Sequence, residues 1–164
     1  MSEREVWLRG ALPEVIPELQ PVAHSLLQVR EEIEQAACLS PQQLWARPGG
    51  AASIGFHLTH LAGSLDRLLT YARGNALNAA QRAALAAEAA EDTSRRAEDL
   101  VQAATEAIDR ALSQVRGTPL CTLDEAREVG RARLASTVLG LLFHAAEHAQ
   151  RHSAQIITMR KVIG

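Results

Sequence analysis

Between Ser53 and Gly74 the apolar residues Ile54, Leu58, Leu61, Leu65, Leu68 and Ala72 recur in alternating steps of four and three. That spacing follows one stripe of a helix with 3.6 residues per turn and fits no strand, where side chains alternate at every second residue. A second stripe, Ala97, Leu100, Val101, Ala104, Ile108, Ala111, Leu112 and Val115, repeats the pattern further along. Each stripe has to be buried against another helix, so the chain is constrained to helices packed on helices.

Composition supports this. Of 164 residues 47% are hydrophobic and only 3% aromatic, so the core is Leu, Ala and Val, and high Ala with few β-branched runs disfavours sheet. Such a length suits one domain with a sizeable core. A first helix is expected from near Pro17 or Pro21, since proline is tolerated in a first turn, carrying Val22, Leu26, Val29 and Ile33 inward and ending before Ser40. Ser40 and Pro41 open a short turn through Trp45, and Pro48-Gly49-Gly50 breaks the chain. Ser53 caps the second long helix, which Gly74-Asn75 ends. Residues 76–92 are Ala-rich but short of large apolar side chains, and suit an exposed helical crossover. The third long helix is expected to start near Thr93 or Ser94 and to stop at Gly117 and Pro119. After a polar loop from Leu123 to Gly130, Ser136 or Thr137 caps a last helix that runs to about Lys161. The expected fold is all-α: a four-helix bundle with a helical crossover between helices 2 and 3, one domain over residues 1–164.

Several function classes are disfavoured. With 19 acidic against 17 basic residues and a net charge of −2, no phosphate-binding stripe is evident and direct nucleic-acid binding is not expected. No Gly-rich phosphate loop with a flanking strand is present. The N-terminal MSEREVWLRG mixes acids with bases and lacks a long apolar run, so neither a signal peptide nor a membrane helix is expected and the cytoplasm is the expected location. Cys38 and Cys121 lie far apart in no CxxC motif, which suits buried packing in a reducing compartment.

Histidines are the candidate chemistry. HAAEHAQRH sets His144, His148 and His152 four apart on the last helix, stacked on one stripe about 6 Å per step. The stripe is collinear with Leu141 and Met159 and so faces the bundle. A second pair, His57 and His60, lies on the second long helix. Burying several imidazoles without partners is costly, and a shared cation removes that cost. A helical wheel centred on the Leu seam puts His57 about 60° off centre and His60 about 120° off, which favours His57 as the partner of the last-helix histidines. His24 is read as structural or pocket-lining. HAAEH also matches H-x-x-E-H, the inverted zinc-protease signature with Glu147 as base, a weak pattern in an Ala-rich helix. Asp66 and Arg67 read as an ordinary surface charge pair.

SIGFHLTHLAGSLDRLLTYARG and HAAEHAQRHSAQIITMRK, together with LSPQQLWARPGGAAS before the second long helix, resemble the DinB-like (DinB/YfiT-like) superfamily over essentially the whole chain. That resemblance implies a metal site of three histidines, matching His60, His148 and His152, with His57 as an alternative or a fourth neighbour. Ala154 stands where the family usually has glycine. Zinc or nickel suits nitrogen donors. The resemblance further implies a metal-dependent transferase that activates a low-molecular-weight thiol of the bacillithiol or mycothiol type toward an electrophilic small molecule. A metal-dependent hydrolase and a non-catalytic, metal-stabilised stress-response protein are the alternatives, and a homodimer is the expected assembly. A remaining general base is left open among His57, His144 and Glu147.

Overall fold

Capping side chains and prolines set the helix starts in the computed structural model, which describes residues 4–164. The first three residues of the N-terminal stretch considered above lie outside the described residues. A 3-10 turn at Pro17–Leu19 leads into α1 (Gln20–Glu34), with Pro21 in its first turn, where a missing N–H costs nothing. The short α2 (Pro41–Trp45) opens on a capping box: Ser40 Oγ accepts the Gln43 N–H, and the Gln43 side chain accepts the Ser40 N–H. Ser53 caps α3 (Ile54–Ala72) by accepting the Phe56 N–H. Asn78 and Gln81 form a second capping box at α4 (Ala79–Ala87). Further on come α5 (Ala97–Arg116) and α6 (Val138–Ile163), the latter capped by Thr137.

Two expectations are corrected here. α5 begins at Ala97 and not near Thr93 or Ser94, because Asp92 accepts both the backbone N–H and the hydroxyl of Ser94 and holds that stretch in a turn. The supposed polar loop contains a hairpin, β1 (Ala126–Val129) paired antiparallel with β2 (Leu134–Thr137), Ala126 facing Thr137 and Val129 facing Leu134. Gly130 and Arg133, both at positive φ (69° and 51°), turn the chain between the strands. The described chain is therefore mostly helical, with six α-helices and one small two-stranded sheet.

Four long helices supply the core. α3 packs on α6 and α5, and α1 packs on the same two. Leu26 and Ile33 of α1, Leu58, Leu61 and Leu65 of α3, Leu100 and Ile108 of α5, and Leu142 and Ile156 of α6 are all fully buried. The α3 seam runs as the spacing dictates, except that Leu69 is buried in its last turn while Leu68 is only partly so. Trp45, just before the break, lays its indole across Gly55 at the start of α3.

Against this core α4 is an outlier, with no buried residue, as expected of an exposed crossover. Polar ties hold it. Gln81 Nε2 donates to Asp66 Oδ2 at 2.7 Å and to Thr70 Oγ1 at 2.8 Å, and Ser53 Oγ donates to Glu91 Oε1 at 2.7 Å. Cys38 and Cys121 are both exposed, in contrast to the packing role expected, since Cys38 sits in the turn after α1 and Cys121 in a 3-10 turn between α5 and β1, neither on a core-facing helix. Among the described residues no helix is long and apolar enough to cross a membrane.

Candidate metal centre

Because α3 and α6 pack together, residues beside their buried seams face one another across the helix pair. There His60 of α3 meets His148 and His152 of α6, each contributing a ring nitrogen to a group whose atoms all lie within 4.8 Å of one another. His60 Nε2 and His148 Nε2 are 3.0 Å apart. His152 lies against both, with ring centroids 4.6 Å from His60 and 4.7 Å from His148. All three rings are partly buried.

The geometry suits a first-row divalent ion. Two imidazole nitrogens bound tetrahedrally at the usual zinc distance stand about 3.4 Å apart, so the His60 and His148 rings need to part by only about 0.4 Å to admit one. At 3.0 Å two lone pairs cannot face each other, so one Nε2 donates a proton to the other when no cation lies between them. In a neutral His60 ring, Nδ1 donating to Glu88 Oε2 at 2.8 Å makes Nε2 the acceptor and His148 the donor.

Burial keeps most of these rings neutral, the form that ligates. His152 is pushed down to about 3, first by burial and then by repulsion from His60, His148, His57 and Arg151. His148 is lowered by burial, with His60, His144 and Arg151 adding to the effect and Glu147 opposing it. His57 is lowered by burial and by His60.

His57 lies outside the three-histidine group. It is 8% exposed, and its Nδ1 sits 2.9 Å from Nδ1 of His152. The wheel is right that His57 turns further toward the seam than His60. The histidines of α6 approach α3 beside that seam, however, so His60 joins the cluster and His57 supports one of its members. Phe56 stacks on His60, with ring centroids 5.5 Å apart, and presents an edge to His57.

His144 is also outside the group. Its side chain is 48% exposed, and its Nδ1 donates to Glu147 Oε1 at 2.8 Å. Arg151 donates to both oxygens of Glu147, at 2.6 and 2.7 Å, and the hydrogen bonds from Arg151 and then His144 hold this carboxyl below its ordinary range against the opposing effect of burial. Glu147 is thus committed to a surface ion pair, and the inverted-protease arrangement of His144, Glu147 and His148 does not assemble. His24 also stands apart from the cluster: its Nε2 donates to the Gly10 carbonyl at 2.9 Å, tying the N-terminal segment to α1, and its ring lines a cavity with Trp7 and Gln28.

Two residues beside the cluster escaped the sequence reading. Arg67 is not half of a surface pair with Asp66; it is 9% exposed and reaches Glu88, NH1 to Oε1 at 2.5 Å and NH2 to Oε2 at 3.2 Å. Asp66 instead accepts from Gln81 of α4. Glu88, just past α4, has a side chain only 8% exposed. Nothing in an Ala-rich crossover marks one glutamate, but α3 did carry a signal. His60, Gly63 and Arg67 fall at i, i+3 and i+7, a polar stripe beside the Leu seam with a gap in its middle.

A mostly helical protein whose two best-packed long helices hold three convergent imidazoles is the class that fold and site define. The DinB superfamily model matches residues 25–156, a span that includes all three histidines, and the chain belongs to that superfamily. No curated protein and no solved structure matches it.

Proposed function

We propose that the chain is a divalent-metal-binding protein whose ligands are His60, His148 and His152, and that it works as a metal-dependent transferase for a low-molecular-weight thiol. The observation that carries this reading is the donor set: three convergent imidazoles, with no fourth His, Cys, Asp or Glu joining the group among the described residues. Three protein ligands leave a coordination position for an exogenous one, the arrangement of catalytic and not of structural zinc sites. Bound there, a divalent ion would acidify a thiol of the bacillithiol or mycothiol type for attack on an electrophilic small molecule. Zinc or nickel fits nitrogen donors. The reading takes the four long helices as a four-helix bundle, places the protein in the cytoplasm, and pairs it as a homodimer, for which the 61% exposed Phe143 of α6 offers apolar surface.

The test is metal content and thiol transfer measured on the same tag-free protein. Near-stoichiometric metal is expected in the wild type and in His24→Ala, with loss in His60→Ala, His148→Ala and His152→Ala. His57→Ala should keep its metal with weakened affinity. Metal-loaded protein should then consume bacillithiol or mycothiol with an alkylating fluorophore, and His148→Ala should not. Absence of metal after incubation with zinc or nickel would refute the whole reading. Stoichiometric metal without thiol transfer would refute the transferase and favour a hydrolase or a metal-stabilised structural protein.

A further inference from the structure

Glu88 lies on a segment with little else to hold it. α4 buries no residue, so the crossover is docked by side-chain hydrogen bonds, and of these only the ones from Glu88 reach the histidine cluster. A carboxylate 8% exposed is costly unless its oxygens are filled, and here both are. Oε1 accepts from Arg67 NH1, and Oε2 accepts from His60 Nδ1 and from Arg67 NH2. Gly63 supplies the space, since a Cβ at that position would collide with Oε1 of Glu88. His60, Gly63 and Arg67 thus make a socket on one face of α3 shaped for a single carboxylate delivered by the crossover.

We infer that Glu88, clamped by Arg67, is the positioning residue for His60, and that it couples metal occupancy to docking of the crossover; this rests on the metal reading above. A carboxylate that accepts from Nδ1–H fixes the ring tautomer, aims the Nε2 lone pair outward and makes that nitrogen a better donor. Linkage makes the effect reciprocal. If the docked crossover strengthens metal binding, bound metal must strengthen docking by the same factor.

The experiment compares wild type, Glu88→Gln and Glu88→Ala as full-length proteins. Zinc affinity is read by competition with a chromogenic chelator, and hydrogen exchange over residues 79–92 is followed with and without zinc. Glu88→Ala is expected to bind zinc about 10- to 100-fold more weakly, with Glu88→Gln, which keeps an acceptor oxygen but not the charge, in between. Zinc should slow exchange across the crossover in the wild type and not in Glu88→Ala, and the cobalt(II) absorption bands should shift in both variants. A purely structural Glu88 would lower the metal-free melting temperature and leave zinc affinity and cobalt bands alone, which would overturn the inference. Equal zinc affinity in a folded variant, or crossover exchange indifferent to zinc in the wild type, would do the same. Should Glu88→Ala fail to fold, Glu88→Gln carries the comparison together with Gly63→Ala, which displaces the carboxylate without removing it. If the wild type binds no zinc the metal reading itself fails, whereas zinc-binding wild type with unaffected variants overturns this inference alone.

Discussion

Replacing Arg67 with methionine strands a buried carboxylate, and the structure sets how much that costs. Arg67 is 9% exposed and the Glu88 side chain 8%, with NH1 and Oε1 2.5 Å apart, so the pair lies well outside the exposed class worth about 1 kcal/mol or less. Removing one partner of a buried pair costs about 3–5 kcal/mol, chiefly because the other charge remains buried. Glu88 retains the His60 Nδ1–H as a donor, which puts the expected loss at the low end, about 3 kcal/mol. For a domain of this length each kcal/mol moves the midpoint by about 2–4 °C, so Tm should fall by about 6–12 °C. The double variant Arg67→Met/Glu88→Met removes both charges and fills the same space with apolar atoms, and should recover to within about 1 kcal/mol of the wild type. Urea unfolding followed by circular dichroism, with a chelator present so that bound metal does not add to stability, measures all three proteins. A single variant that loses under about 1 kcal/mol would refute the claim that the pair is buried in solution. So would a double variant no more stable than the single one.

Two further outcomes follow from the packing. His57, His148 and His152 are depressed below the usual 6.5, His152 to about 3, so between these limits the unfolded chain binds more protons than the folded one. Metal-free stability should therefore be intact above about pH 6.5 and decline as the pH falls, by up to about 1.4 kcal/mol per pH unit for each histidine protonated only in the unfolded chain. Unfolding curves between about pH 7.5 and 4.5 that show no such decline would refute the burial of these neutral rings. Gly55→Ala puts a Cβ 2.5–2.7 Å from three ring carbons of Trp45 and should cost about 1–3 kcal/mol, with a change in tryptophan emission as the indole is displaced. Unaltered stability and emission would mean that Trp45 does not pack on α3.

Where side-chain periodicity carried the information, the sequence was enough. The α3 and α5 stripes, the Ser40 and Ser53 caps and the i, i+4 histidines of α6 all express local geometry, while the last helix was capped by Thr137, one of the two residues the sequence offered. The hairpin was not legible, since its strands are four residues each and hold only exposed and half-buried positions, with no buried apolar face to read. The choice between His57 and His60 was not legible from the wheel either. It depends on how α6 is rotated against α3, and periodicity within one helix does not fix that rotation. Glu88 was the least visible, because its role comes from a contact with His60 across 28 residues of chain, while its own segment is mostly alanine and carries nothing to single out one glutamate.

The charge around the cluster follows from that same contact. Glu88 contributes −1 and Arg67 contributes +1, so the pair adds no net charge beside the cluster. A carboxylate supporting His60 on its own would have placed a full negative charge beside the cluster, offsetting part of the positive charge of any cation held there. Arg67 cancels that charge while Oε2 still accepts from His60 Nδ1 and orients it. Under the metal reading this separates two functions that a lone carboxylate would set against each other. Under the proposed thiol transfer, Glu88 would sharpen the donor while Arg67 would protect the electrostatic pull on a bound thiol, on which acidification depends. The burial of an arginine beside a histidine cluster, unfavourable for cation binding in isolation, is explained by the carboxylate it neutralises.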